Sequence, residues 1–145
     1  MRQKGTLKDG KLHGPSEWHH DNGQSWIQVP YKDGNWHGPF ISYYDNGQLW
    51  KKGTYKDGKA HGPYESYYEN GQLRSKGTRK DGERYGLFER YWENGQLWNK
   101  GTYKDGKRDG PWVFFEEDGT KRMTQSKYDE YDEGSGTYKD GKKID

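Results

Sequence analysis

The chain has no cysteine in its 145 residues, which removes disulfides, thiolate nucleophiles and thiolate metal sites together. It is also poor in apolar residues: 26% are hydrophobic and the mean hydropathy is -1.60, so a conventional two-layer domain around a buried core is not expected. No apolar run reaches the length of a membrane span, and Met1-Arg2-Gln3-Lys4-Gly5-Thr6 lacks the apolar stretch of a secretory signal. A cytoplasmic setting is the expectation, with an exported form left open if the start is trimmed. A dominant charge is missing as well. With 25 basic and 23 acidic residues the net charge is +2, too small to draw the protein onto nucleic acid or an anionic membrane, and neither is an expected partner.

Aromatic residues and glycine are plentiful. Aromatics make up 17% of the chain, against the composition of a disordered segment, and the 22 glycines recur at fixed intervals. Gly10, Gly34, Gly58, Gly82 and Gly106 are spaced 24 residues apart, as are Gly23, Gly47, Gly71, Gly95 and Gly119. Gly14, Gly38, Gly62, Gly86 and Gly110 share the period. The first column sits in Asp-Gly pairs and the second mostly in Asn-Gly pairs, the dipeptides best able to adopt the positive φ of hairpin turns, and Tyr, Thr, Trp and Phe flank them. Helix is excluded by the same glycines, each costing about 1 kcal/mol in a helix interior.

The expected fold is therefore all-β: a single-layer antiparallel β-meander of tandem 24-residue hairpin repeats, elongated and twisted. One repeat domain spans 1–145, with about five repeats over 4–124, an irregular acidic insertion at 125–135 and a C-terminal half-repeat at 136–145. Two strands per unit give about ten strands and an array of about 48 Å at roughly 4.8 Å per strand. Asp57-Gly58 lies thirteen residues before Asn70-Gly71 but eleven after Asn46-Gly47, so alternate strands differ by two residues. The excess is expected as a bulge or break at Gly62-Pro63 and its equivalents, because proline lacks a ladder N–H. Tyr128 to Glu133 is expected to form an acidic capping loop.

If both turns have two residues, Phe40, Tyr44, Leu49, Gly53, Tyr55 and Tyr64 share one face, and Tyr43, Trp50, His61 and Tyr67 share the other. Phe40 then lies opposite Gly53, and Tyr64 opposite Lys51. An aromatic beside a glycine can cover exposed backbone in a sheet too thin for a core.

Candidate chemistry is sparse. His13, His37 and His61 share a column, but stacked units hold column members roughly 9 to 10 Å apart, too far to share an ion whose ligands lie about 2 Å away. No metal and no cofactor is expected. No serine or threonine stands in a nucleophile-elbow context, and adjacent carboxylates such as Glu116-Glu117 point to opposite faces. An enzyme is not expected. Surface pattern remains: Lys-Asp-Gly-Lys turns along one margin, and Asp21, Asp45, Glu69, Glu93 and Glu117 along the other. Margins of this kind protect edges and can steer a polarised partner. Trp26, Trp50 and Trp98 share a column, broken by Arg74 and Arg122; Tyr43, Tyr67 and Tyr91 form another. Because Tyr, Trp and Arg dominate interfaces, Trp26, Tyr43, Trp50, Tyr67, Arg74, Tyr91 and Trp98 are the candidate partner-binding residues. The same rings could instead hold the sheet together.

The unit G-T-Y-K-D-G-K-x-H-G-P-x-E-x-Y-Y-E-N-G-Q-L resembles the MORN-repeat variant, through Tyr55, Gly58, His61-Gly62 and Gly71. Through Tyr-Tyr-Glu-Asn-Gly-Gln-Leu at 67–73 the array is similar to the bacterial YwqK-type antitoxin family. That likeness implies a binding protein of antitoxin or immunity type that occludes a protein partner, a toxin, without catalytic residues. Two alternatives are an aromatic repeat that associates with glycans, choline-like cations or lipid headgroups, and a structural scaffold that self-associates weakly through its terminal strands.

Overall fold

The computed structural model describes residues 2–122 and 134–145. The fold is set by two kinds of turn. In the first, Asp57 (φ 49°) and Gly58 (φ 81°) both take positive φ between the paired residues Lys56 and Lys59, a two-residue type I′ turn. Asp9, Asp33, Asp81, Asp105 and Asp140 repeat it with φ near 50°. The second kind differs from expectation. At Asn46-Gly47 only the glycine has positive φ, Tyr44 N–H donates to Gln48 O, and Asn46 Oδ1 accepts from Gln48 N–H, leaving a three-residue loop, 45–47.

Between these turns run β1 (Arg2–Lys4), β2 (Leu7–Lys8), β3 (Lys11–Leu12), β4 (Gly14–His19) and β5 (Ser25–Lys32). There follow β6 (Asn35–Trp36), β7 (Gly38–Tyr43), β8 (Leu49–Lys56), β9 (Lys59–Ala60), β10 (Gly62–Tyr67) and β11 (Leu73–Lys80). The last are β12 (Glu83–Tyr91), β13 (Leu97–Lys104), β14 (Lys107–Phe114), β15 (Gly136–Lys139) and β16 (Lys142–Lys143). All but the β2–β3 hairpin belong to one open antiparallel sheet whose strands follow chain order, so the expected meander is what forms. The described residues hold more strands than expected because His13, His37 and His61 interrupt alternate strands just before the Gly-Pro pair. In the fourth and fifth units Tyr85 and Asp109 replace the histidine, and the strand runs on through a bulge: Thr78 pairs Tyr85 and Lys76 pairs Glu89. Four steps on one strand thus face two on the other, which absorbs the two-residue excess at the expected place. The motif resumes after the insertion with Gly136 opposite Trp112. The capping loop expected at Tyr128 to Glu133 lies outside the described residues.

The excess shifts register as well as absorbing length. Glu65 pairs Lys52 and Ser66 pairs Lys51, so the residue opposite Lys51 is Ser66 and not Tyr64. Tyr64 instead covers Gly53, from the side opposite Phe40, which does pair with Gly53 as expected. A second, unforeseen bulge follows each three-residue loop: Ser42 pairs Lys51 but Tyr43 pairs Leu49, leaving Trp50 extra. This moves Leu49 onto the face of Tyr43 and lets Trp50 meet Tyr44, with ring centroids 5.5 Å apart, reversing the face expected for both residues.

The buried apolar side chains all lie on one face, the aromatic face. Its centre line alternates large and absent side chains: Phe40, Gly53, Tyr64, Gly77, Phe88, Gly101, Trp112 and Gly136 across successive strands. Two clusters result, one of Ile27, Val29 and Phe40, the other of Phe88, Tyr103, Trp112, Phe114 and Tyr138. Rings also stitch unit to unit. Tyr44 Oη donates to Tyr67 O at 2.7 Å, Tyr68 Oη to Tyr91 O at 2.6 Å, and Trp92 Nε1 to Phe115 O at 3.1 Å. His20 Nε2 does the same to Tyr43 O at 3.1 Å, the carbonyl requiring the proton on that nitrogen.

Candidate functional site

The opposite face carries prolines where the aromatic face carries rings. Pro15 pairs Pro30, Pro39 pairs Thr54, Pro63 pairs Thr78, Leu87 pairs Thr102 and Pro111 pairs Thr137, a stripe of compact apolar side chains along the array. Over the first three units it sinks into a groove of about 720 Å³, lined by Pro15, Pro30, Pro39, Ile41, Lys52 and Glu65. A second depression of about 240 Å³ adjoins it past Pro63, where Leu87 is 56% exposed. Such a concave apolar surface with a few polar groups at its border is the usual form of a binding site.

Beside the stripe runs a ladder of alternating charge. Lys52 Nζ lies 3.2 Å from Glu65, and Glu89 sits between Lys76 at 3.4 Å and Lys100 at 3.3 Å. Tyr91 Oη donates to Glu89 Oε2 at 2.6 Å, and Tyr67 makes the same bond to Glu65 at 2.5 Å. The phenol hydrogen bond is the main reason that both carboxyls sit below their ordinary range, with the lysines adding to it. In return the Tyr91 phenol is pushed up to about 12, chiefly by its bond to Glu89. Glu17 is lowered mainly by hydrogen bonds from Ser25 and Gln28. Each of these pairings is a cross-strand or same-strand contact that fixes the sheet surface.

The residues expected to form one binding patch divide between the faces. Tyr43, Tyr67 and Tyr91 flank the charge ladder, opposite Leu49, Leu73 and Leu97. Trp26, Trp50, Arg74 and Trp98 lie in the bulges on the aromatic face: Trp98 stacks on Trp92 at 4.3 Å, Trp26 meets His20 at 6.0 Å, and Arg74 lies over Tyr68 at 5.7 Å. Arg122, the other break in that column, pairs with Glu116 at 3.4 Å. His37 Nδ1 accepts from Asp57 N–H at 3.2 Å and lies 3.3 Å from its carboxylate; His13 and His61 face Asp33 and Asp81 at 3.9 Å. The histidine column thus leans on the next unit's turn. No group of three or more His, Asp or Glu able to hold a metal occurs among the described residues.

The groove went unread in the sequence. Its signal was present in one column, where Glu17, Glu65 and Glu89 recur but Ile41 intervenes, so that an apolar side chain falls among the prolines.

An open sheet of short tandem hairpins, stitched unit to unit and presenting two long faces, defines a tandem-repeat β-meander. Residues 12–33, 36–57, 60–81 and 84–105 each match the MORN repeat variant. These four stretches make up more than half of the chain, which belongs to that family. No curated protein matches the sequence. Repeats of this family are generally associated with binding.

Proposed function

We propose that the chain is a non-catalytic protein-binding module, of antitoxin or immunity type, that acts by covering a partner protein. The observation that carries this reading is the proline-lined groove of about 720 Å³. Its walls are backbone-paired strands, so it is preformed, and binding there orders little of the module itself. Ile41 supplies a central apolar contact, while Lys52 and Glu65 at the border supply polar ones. The displaced carboxyl and phenol groups are used in the sheet's own pairings rather than gathered around a reacting centre, which favours binding over catalysis. Choline-like ligands are disfavoured because ring faces that would receive them already hold the chain's own cations: Lys51 over Trp50 at 4.2 Å and Arg90 over Trp98 at 4.9 Å.

The test is affinity purification of the tagged chain from its native cell, in parallel with Ile41→Glu and Pro39→Glu. A specific protein recovered with the parent chain and lost from both variants supports the reading; for the antitoxin sense, expression of that protein alone must also arrest growth and co-expression of the chain relieve it. Absence of any protein partner, or a partner indifferent to both groove variants, overturns it.

A further inference from the structure

The third unit departs from its neighbours on the aromatic face. Tyr31, Tyr55, Tyr103 and Tyr138 occupy equivalent positions, but the third unit has Arg79; Trp26, Trp50 and Trp98 share a column in which it has Arg74. Arg79 pairs with Arg84 across the β11–β12 ladder, and beyond the bulge, four residues away on β11 and six on β12, Ser75 pairs with Arg90. Lys51 completes the same row through Ser66 and Ser75, whose hydroxyls lie 2.6 Å apart. Cations therefore stand on both sides of Tyr64, Gly77 and Phe88.

Among the described residues no carboxylate pairs with Lys51, Arg74, Arg79 or Arg84. Among the described residues the strand positions of this face carry neither Asp nor Glu, and the ladder glutamates project from the opposite face. Among the described residues the ion pairs made by Lys52, Lys76 and Lys100 have no counterpart at Lys51, Arg74, Arg79 or Arg84. These four lean on rings or hydroxyls instead: Arg79 lies 5.2 Å from the Tyr64 ring, Arg84 lies 5.2 Å from Phe88 and donates to Tyr103 Oη at 3.1 Å. Burial, and then the neighbouring guanidinium, lowers the pKa of Arg79; burial followed by Arg74 and Arg79 lowers that of Lys51. Like charges are being held together at a cost that an anion would relieve. Between Arg79, Arg84, Arg90 and the Gly77 backbone is a notch of about 40 Å³, close to the roughly 30 Å³ occupied by one water and so suited to a single carboxylate oxygen or little more.

We propose that this patch binds a short acidic segment of a protein, with Asp or Glu carboxylates at Arg79, Arg84, Arg74 and Lys51 and its backbone lying over Tyr64 and Phe88. Its extent selects the class of ligand. The row from β8 to β12 crosses three strand spacings, about 14 Å, which matches about four extended residues and is short for a nucleic-acid strand. Aromatic clusters close it at both ends, and Glu69 and Glu93 border it at the loop margin, where a long polyanion would be repelled. The site deepens the protein-binding reading by naming the chemistry of the partner.

The test uses the whole chain and three labelled probes: an eight-residue Asp/Glu peptide, a glutamine peptide of equal length, and an eight-nucleotide oligothymidine. Fluorescence anisotropy at low salt is expected to show binding of the acidic peptide alone, weakening as salt is added. Arg79→Tyr combined with Arg74→Trp restores the residues of the neighbouring units, so the sheet is retained, and affinity is expected to fall at least tenfold. Lys56→Gln with Lys104→Gln, at the turn margin, is expected to leave it within twofold. Equal loss from the margin variant, no loss from the patch variant, no binding, or tighter binding of the oligothymidine each overturns the proposal. The peptide assay needs no native partner, so its failure leaves the groove result standing, and failure of the groove variants leaves the peptide result standing.

Discussion

A Cβ on Gly53 would stand 2.8 Å from Tyr64 Cδ2 and 2.9 Å from Phe40 Cε1, with the Pro63 carbonyl 3.3 Å away. On Gly101 it would run into the indole of Trp112, at atoms close to the root of the ring, and Trp112 is only 3% exposed. Alanine normally gains something over glycine in a strand, about 0.5–1 kcal/mol, but overpacking costs typically 1–3 kcal/mol and occasionally more. Gly53→Ala is therefore expected to lose about 1 kcal/mol and Gly101→Ala at least about 2 kcal/mol, read from urea midpoints. A neutral result at Gly101 would mean that the ring is not seated on the backbone. Glu89 and Tyr91 make a second residue-scale prediction. The carboxyl is lowered in the folded state, so its contribution is present above the ordinary carboxylate pKa and disappears as pH falls through the lowered value. The phenol is raised to about 12, so its contribution is present below pH 10 and disappears as pH rises towards 12. Tyr91→Phe is expected to flatten both limbs of the stability profile, and to remove one late-titrating phenol from the absorbance titration.

At the scale of the hairpin, the stitches between units are single hydrogen bonds with a known donor. Removing only the hydroxyl, in Tyr44→Phe or Tyr68→Phe, leaves the ring in place and the Tyr67 or Tyr91 carbonyl without that bond. Each is expected to cost about 1 kcal/mol, and the pair to depart from additivity by up to about 1 kcal/mol, because Arg74 lies beside both phenols although the accepting carbonyls are separate. A double variant no worse than either single one would show that the stitches act as one unit. The 24-residue period made much of this element legible: the type I′ turns, the bulge at the Gly-Pro pair, and Phe40 on Gly53 could all be read from glycine spacing and strand alternation. The second bulge could not. Asn-Gly is compatible with a two-residue or a three-residue loop, and the difference lies in the φ of Asn46. Because side chains alternate, that one residue decided the faces of Leu49 and Trp50. It also split a supposed single patch of Trp and Tyr into two surfaces. The proline groove and the arginine patch stayed hidden for a related reason: each is built from different columns brought level by register, and the two-residue excess had to be carried through the pairing before Arg79 met Arg84.

Across the whole molecule, stability should not be uniform. A repeat array gains its stability from each unit and its interface with the next, so a unit with a weak interface can open while its neighbours hold. The two buried clusters lie on either side of β11, whose residues alternate between half-buried and exposed with none fully buried. Arg79 sits in that strand where a tyrosine would continue the ring column, and Arg74 where a tryptophan would. Amide hydrogen exchange is therefore expected to be slowest around Val29 and Phe40 and again from Phe88 to Phe114, with a minimum of protection over 73–80. Arg79→Tyr should raise that minimum by rejoining the clusters, and the acidic peptide should raise it in the parent chain by neutralising the repulsion among the cations. Uniform protection along the sheet would mean that the cations cost nothing where they stand. In that case the third unit would be as tightly held as its neighbours, and the strain that an acidic ligand is expected to relieve would be absent.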